Sequence, residues 1–194
     1  ASPKRFPDRD EIAAVRAVRD RLDRRFVRAL GRLARCRGRI VTCGMGKAGI
    51  IAQKIAATLA STGSPAFFLH PADALHGDLG MARRGDVALI LSNSGESEEI
   101  TQLLPLLRRL GVAIVAVTAS ARSTLAGHAD EVLLLGDLPE ACPLGLAPTA
   151  TTTAMLALGD ALALCLMKRR RFRVDDYARL HPAGALGRKT QPVE

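Results

Sequence analysis

Three segments hold residues whose types and spacing could do chemistry. The first is Gly44-Met45-Gly46-Lys47-Ala48-Gly49. Its glycines let backbone N–H groups approach a ligand, a helix N-terminus that follows would favour an anion, and Lys47 adds a positive charge. A phosphate-binding G-x-x-x-x-G-K-[ST] loop is not met, so an ATPase reading fails. The dinucleotide pattern G-x-G-x-x-G is met in spacing by Gly44, Gly46 and Gly49, but no acid stands near twenty residues on until Asp73. The second segment is Ser92-Asn93-Ser94-Gly95-Glu96-Ser97, three hydroxyls at a strand-to-helix turn. Hydroxyls and free N–H groups there make a neutral phosphate cradle, although turn and cap duties explain the serines equally well. Glu98 and Glu99 follow in the first helical turn, where one could face a ligand.

The third segment runs from Glu140-Ala-Cys-Pro143 through Gly145-Leu-Ala-Pro-Thr149. Thr149, Thr151, Thr152 and Thr153 crowd the start of the next helix, where Thr149 or Thr151 would serve as cap. Glu140 has no evident structural task, which makes it a catalytic candidate. His76 and His181 stand in Ala74-Leu-His76-Gly-Asp78 and Leu180-His181-Pro-Ala-Gly184; His70 and His128 read as structural or merely exposed. His76 and Asp78 lack a third ligand in sequence, so no metal site is expected.

The elements that must position these loops follow from periodicity. Ile12, Val15, Val18, Leu22, Phe26, Ala29, Leu30 and Leu33 recur at helical spacing and predict one helix over residues 1–37. Short apolar runs at 39–43, 65–69, 86–91, 112–117 and 131–135 predict five strands, with helices over 50–61, 98–110 and 149–171. Several of the runs are continuously apolar rather than alternating, which suits parallel strands buried on both faces. The expected fold class is α/β: a doubly wound five-stranded parallel sheet flanked by helices, one domain over 1–194 with a tail at 189–194. Ligands of such sheets bind beyond the carboxyl ends of the strands, where the three loops fall.

Composition narrows the class. Hydrophobic residues make up 48% of 194, which argues for a packed core and against disorder. The net charge of +9 is mostly arginine, yet the aromatics that stack on single-stranded nucleic acid are nearly absent and no DNA-binding motif stands out. No nucleic-acid or membrane partner is expected, because no apolar run reads as a bilayer span. The four cysteines form no C-x-x-C pair and read as free thiols of a reducing compartment, placing the chain in the cytoplasm.

In combination the motifs resemble the sugar isomerase (SIS) domain family, and within it the D-arabinose 5-phosphate isomerases. The matching stretches are Cys43–Lys47, Gln53–Gly63, Leu75–Gly80, Ser92–Gly95, Glu140–Thr149, Gly159–Ala163 and His181–Gly187. The resemblance implies interconversion of D-ribulose 5-phosphate and D-arabinose 5-phosphate, which feeds a lipopolysaccharide sugar, 3-deoxy-D-manno-octulosonate. It implies Lys47, Glu99, Glu140 and His181 as catalytic groups, and Gly46, Ser92, Ser94, Ser97 and His76 as substrate or phosphate contacts. It also implies a homotetramer with sites shared between subunits. Two positions depart from the family: Ala48 stands where serine is usual and Asn93 where an aromatic is common. The C-terminal CBS domains of many relatives are not in this sequence.

Such an isomerisation moves a proton between C1 and C2 through an enediol. It needs a base for carbon, a shuttle for the hydroxyl proton, and positive charge or N–H groups on the enediolate. Glu140 or Glu99 would be the base, His181 the shuttle, and Lys47 the stabiliser, with no redox cofactor and no metal. The competing readings are a non-catalytic sugar-phosphate sensor, an isomerase of another phosphosugar, and an interaction protein whose serines and glycines are only turns.

Overall fold

The computed structural model describes residues 10–182; the tail expected at 189–194 and the end of the His181–Gly187 motif lie outside them. Five strands form one parallel sheet: β1 (Ile40–Gly44), β2 (Ala66–Phe68), β3 (Val87–Leu91), β4 (Ala113–Thr118) and β5 (Glu131–Leu134), in the order β2-β1-β3-β4-β5. Register is set by pairs such as Thr42 with Leu89 and Leu89 with Val115. The expected doubly wound sheet is therefore present.

Among the described residues eight helices accompany the sheet: α1 (Glu11–Asp20), α2 (Arg24–Ala34), α3 (Gly46–Ser61), α4 (Pro71–Leu75), α5 (Glu98–Arg109), α6 (Thr124–His128), α7 (Ala150–Arg169) and α8 (Val174–Leu180), with one 3-10 turn at Asp78–Met81. Along β3 the side chains alternate between two cores. Val87, Leu89 and Leu91 join the core shared with α1, α2, α3 and α7; Ala88 and Ile90 join the one shared with α4 and α5. A strand covered on both faces must be apolar at every position, which is why its pattern is continuous.

The structure corrects two expectations. The single N-terminal helix is two, broken at Arg21–Asp23. Asp23 adopts extended backbone and its carboxylate accepts the Arg25 N–H at 2.7 Å, capping a new helix. An apolar segment of bilayer-spanning length does exist: α7 has 20 residues with a mean hydropathy of 1.6 in its best window. Half of that window is buried inside the fold, as in a core helix packed on α1 and α3.

Candidate active site

The strand order reverses between β1 and β3, so the chains leaving these two strands part and open a crevice at their carboxyl ends. A cleft of ≈ 350 Å³ lies there. After β1 it is walled by Met45, Lys47 and Ala48; after β3 by Ser92, Asn93, Ser94 and Ser97. The third wall is the start of α7, with Pro148, Thr151, Thr152 and Met155. Three helices thus begin at one cleft.

Two of those N-termini are open. Met45 is the N-cap of α3 and has no capping side chain. Ser97 is the N-cap of α5, yet its hydroxyl makes no cap bond; Ser97 Oγ lies 3.3 Å from Ser92 Oγ instead. The first amides of α3 and α5, at Gly46, Lys47, Glu98 and Glu99, have no acceptor among the described residues. Each N-terminus carries about half a positive charge, and an anion placed between them is stabilised by both. Lys47 is exposed at this spot and makes no ion pair among the described residues.

The serine loop is held rigidly. Ser92 Oγ accepts the Gly95 N–H at 3.1 Å and Ser94 Oγ accepts the Glu96 N–H at 3.2 Å. Both hydroxyls serve the turn as acceptors, which does not use their own protons, so the two readings of these serines are compatible. The loop is tied to the segment after β4: Ala119 N–H and Thr118 Oγ1 donate to Asn93 O, and Leu125 N–H donates to Gly95 O. Glu96 Oε1 accepts the Thr124 N–H at 2.8 Å, a bond that holds the Glu96 carboxyl below its ordinary range. Gly95 has φ +70, the left-handed region, and Ser123 packs against its Cα.

Lys47, Ser92, Ser94 and Ser97 are thus brought together, with Gly46 beside them at φ +54 and no described residue within 4 Å of its Cβ position. The remaining candidates are not part of the cleft lining. Glu99 is half-buried in the first turn of α5, two residues beyond Ser97. His76 is exposed at the C-terminal end of α4. His181 ends α8, a helix with no buried residue; its Nδ1 lies 2.9 Å from Tyr177 O, and its ring stacks on Tyr177 with centroids 3.8 Å apart. Among the described residues, no group of three or more potential metal ligands occurs.

Glu140 requires a correction, because it does have a structural task. Its Oε2 accepts the N–H groups of Thr149 and Ala150, each at 2.8 Å, and more weakly that of Thr151 at 3.4 Å; its Oε1 accepts the Thr151 hydroxyl. Glu140 is therefore the cap of α7. Neither threonine expected in that role fills it: Thr149 makes no cap bond, and its buried Oγ1 has no partner among the described residues. Thr152 Oγ1 donates to Pro148 O at 2.7 Å, closing the same turn. Asn93, Thr151 and Thr152 line the cleft, a role that sequence reasoning does not assign them. Their positions at a strand end and a helix start are the available signal.

A family model, the SIS domain, matches residues 33–165, and the chain belongs to that family. The chain is 52% identical over 168 residues to "Arabinose 5-phosphate isomerase KdsD" of Escherichia coli (strain K12), a match covering 87% of this chain and 51% of that protein. It is 51% identical over 179 residues to the KdsD protein of Pseudomonas aeruginosa, covering 92% and 55%. The chain spans about half the length of the curated relatives it matches. Among solved structures, the c3406 protein of E. coli CFT073 in complex with arabinose 5-phosphate superposes with a TM-score of 0.86 at 43% identity, covering 89% of this chain and 92% of that one.

Proposed function

We propose that this chain is an aldose–ketose isomerase that interconverts D-ribulose 5-phosphate and D-arabinose 5-phosphate through an enediol. The observation that carries the reading is the convergence of two open helix N-termini, three serine hydroxyls and Lys47 on one cleft. That set suits a phosphate dianion, and the volume suits a pentose beside it. The likeness to the KdsD proteins and to the structure bound to arabinose 5-phosphate supports the choice of sugar.

In this mechanism the phosphate seats between α3 and α5, on the serine loop and the free amides. Lys47 stabilises the enediolate or the phosphate. A carboxylate takes the carbon-bound proton, Glu99 and Glu140 being the two at hand, and His181 carries the hydroxyl proton. His181 and His76 lie outside the cleft of their own chain, which supports a homotetramer in which a neighbouring copy supplies them. The enzyme uses no cofactor and works in the cytoplasm, supplying lipopolysaccharide sugar synthesis.

The test is turnover of D-arabinose 5-phosphate beside a panel of hexulose and heptulose phosphates, with Lys47→Ala as the site control. Pentose turnover that Lys47→Ala abolishes supports the reading. Turnover of another phosphosugar alone, or binding of the pentose without turnover, overturns it in favour of a different isomerase or a sensor.

A further inference from the structure

We infer that Glu140 is a positioning residue rather than the base: its carboxylate is the built-in anion of the third helix at the cleft. The inference rests on the isomerase reading above. Three helices begin around the site, and among the described residues only α7 has its N-terminus filled. Both Glu140 oxygens are engaged by that terminus, through two amides at 2.8 Å, one at 3.4 Å and a threonine hydroxyl. A base for carbon needs a lone pair aimed at the substrate. The Glu140 carboxylate is instead turned to the first turn of α7, Oε2 to its amides and Oε1 to the Thr151 hydroxyl.

Two consequences follow. The bonds to Glu140 fix Thr151, which is 2% exposed, and with it the first turn of α7 that forms the third wall. They also make the cleft asymmetric. An incoming phosphate meets open, positive termini at α3 and α5 but a terminus already neutralised at α7. The phosphate is thereby directed to one end, and the sugar carbons lie toward Thr151 and Thr152. Glu99 also stands outside the cleft lining, two residues beyond Ser97, but it is half-buried at the start of α5 and without a hydrogen bond among the described residues, so it is the carboxylate left for proton transfer.

Glu140→Gln and Glu140→Ala separate the two roles. A glutamine oxygen still accepts the Thr149 and Ala150 N–H groups, and its amide can donate to Thr151 Oγ1, but it is no base for carbon. The measurements are kcat and KM for D-ribulose 5-phosphate across pH, and amide hydrogen exchange at Thr149 and Ala150. Glu140→Gln is expected to keep kcat within about tenfold, with the acidic limb of its pH profile unmoved and both amides protected; removing a true base costs roughly 10²–10⁴-fold. Glu140→Ala is expected to lose protection at both amides and to raise KM as well as lower kcat. A Glu140→Gln enzyme that folds, binds and protects its amides yet loses about 10³-fold in kcat makes Glu140 the base and overturns the inference. Unchanged exchange in Glu140→Ala overturns it equally. If wild-type protein does not turn over the pentose, the isomerase reading falls and the proton-transfer claim with it, a result distinct from either outcome because the amides still report the cap.

Discussion

Replacing Gly95 by alanine perturbs the serine loop at its tightest point. A Cβ there would lie 2.3 Å from Ser123 Oγ, 2.5 Å from Ser123 Cβ and 3.0 Å from Thr118 Oγ1. Ser123 has little room to yield. It is 4% exposed, its Oγ donates to Ser120 O, and the same atom accepts the Ala126 N–H. The φ of +70 adds a conformational cost of about 1–2 kcal/mol for any residue with a Cβ. Overpacking a filled site adds about 1–3 kcal/mol, so the two together give roughly 2–5 kcal/mol. Gly46 isolates the first contribution, because it has φ +54 but no described residue within 4 Å of its Cβ position. Gly46→Ala should therefore cost only about 1–2 kcal/mol. Each kcal/mol corresponds to roughly 2–4 °C in Tm for a chain of this size. The assay is urea and thermal unfolding of both variants, with calorimetric binding of inorganic phosphate. Gly95→Ala should be the less stable by about 1–3 kcal/mol and should bind phosphate at least about tenfold more weakly than wild type. Equal stability of the two variants would refute the claim that contact with Ser123 holds the loop.

Ser97→Ala should leave stability within about 0.5 kcal/mol, since Ser97 makes no cap bond, yet weaken phosphate binding roughly tenfold or more in calorimetry. Ser92→Ala should cost both, because Ser92 is 3% exposed and its Oγ also holds the Gly95 N–H. Cys142 should alkylate first with iodoacetamide at neutral pH by peptide mass mapping. The N–H groups of Ala147, Leu146 and Leu144 lower its thiol pKa, whereas burial raises that of Cys43 to about 12; labelling of Cys43 before Cys142 in folded protein would contradict this. Glu96 has its pKa lowered chiefly by the Thr124 N–H, so its stabilisation is present above the ordinary value of 4.5 and is lost as pH falls through the folded value. Glu96→Gln should accordingly flatten the acid side of a stability-versus-pH curve, and an unaltered slope would count against the tie between the serine loop and α6.

The sheet was legible because burial on both faces leaves a signature at every strand position, as in Val87–Leu91. The glycine loop after β1 and the serine loop after β3 were legible as strand-to-helix turns at the ligand-binding end of a parallel sheet. The break between α1 and α2 was not, since Asp23 lies in a continuous helical periodicity and declares itself only through its bond to the Arg25 N–H. The helices α4 and α6, five residues each, are too short for periodicity to resolve. The capping task of Glu140 was missed for a different reason. Its partners Thr149, Ala150 and Thr151 stand nine to eleven residues away across a proline-rich loop, and no local rule links a carboxylate to a helix start at that distance. His76 and His181 are exposed or half-buried on their own chain, so the part proposed for them depends on a neighbouring copy.

The most direct measurement of the central claim is proton NMR of the purified protein with D-ribulose 5-phosphate in deuterium oxide. Arabinose 5-phosphate should appear with deuterium at C2, because the enediol takes its new proton from solvent. Absence of arabinose 5-phosphate, with the sugar phosphate still bound in the cleft, would contradict the assignment; product formed without deuterium at C2 would contradict proton exchange with solvent at the enediol.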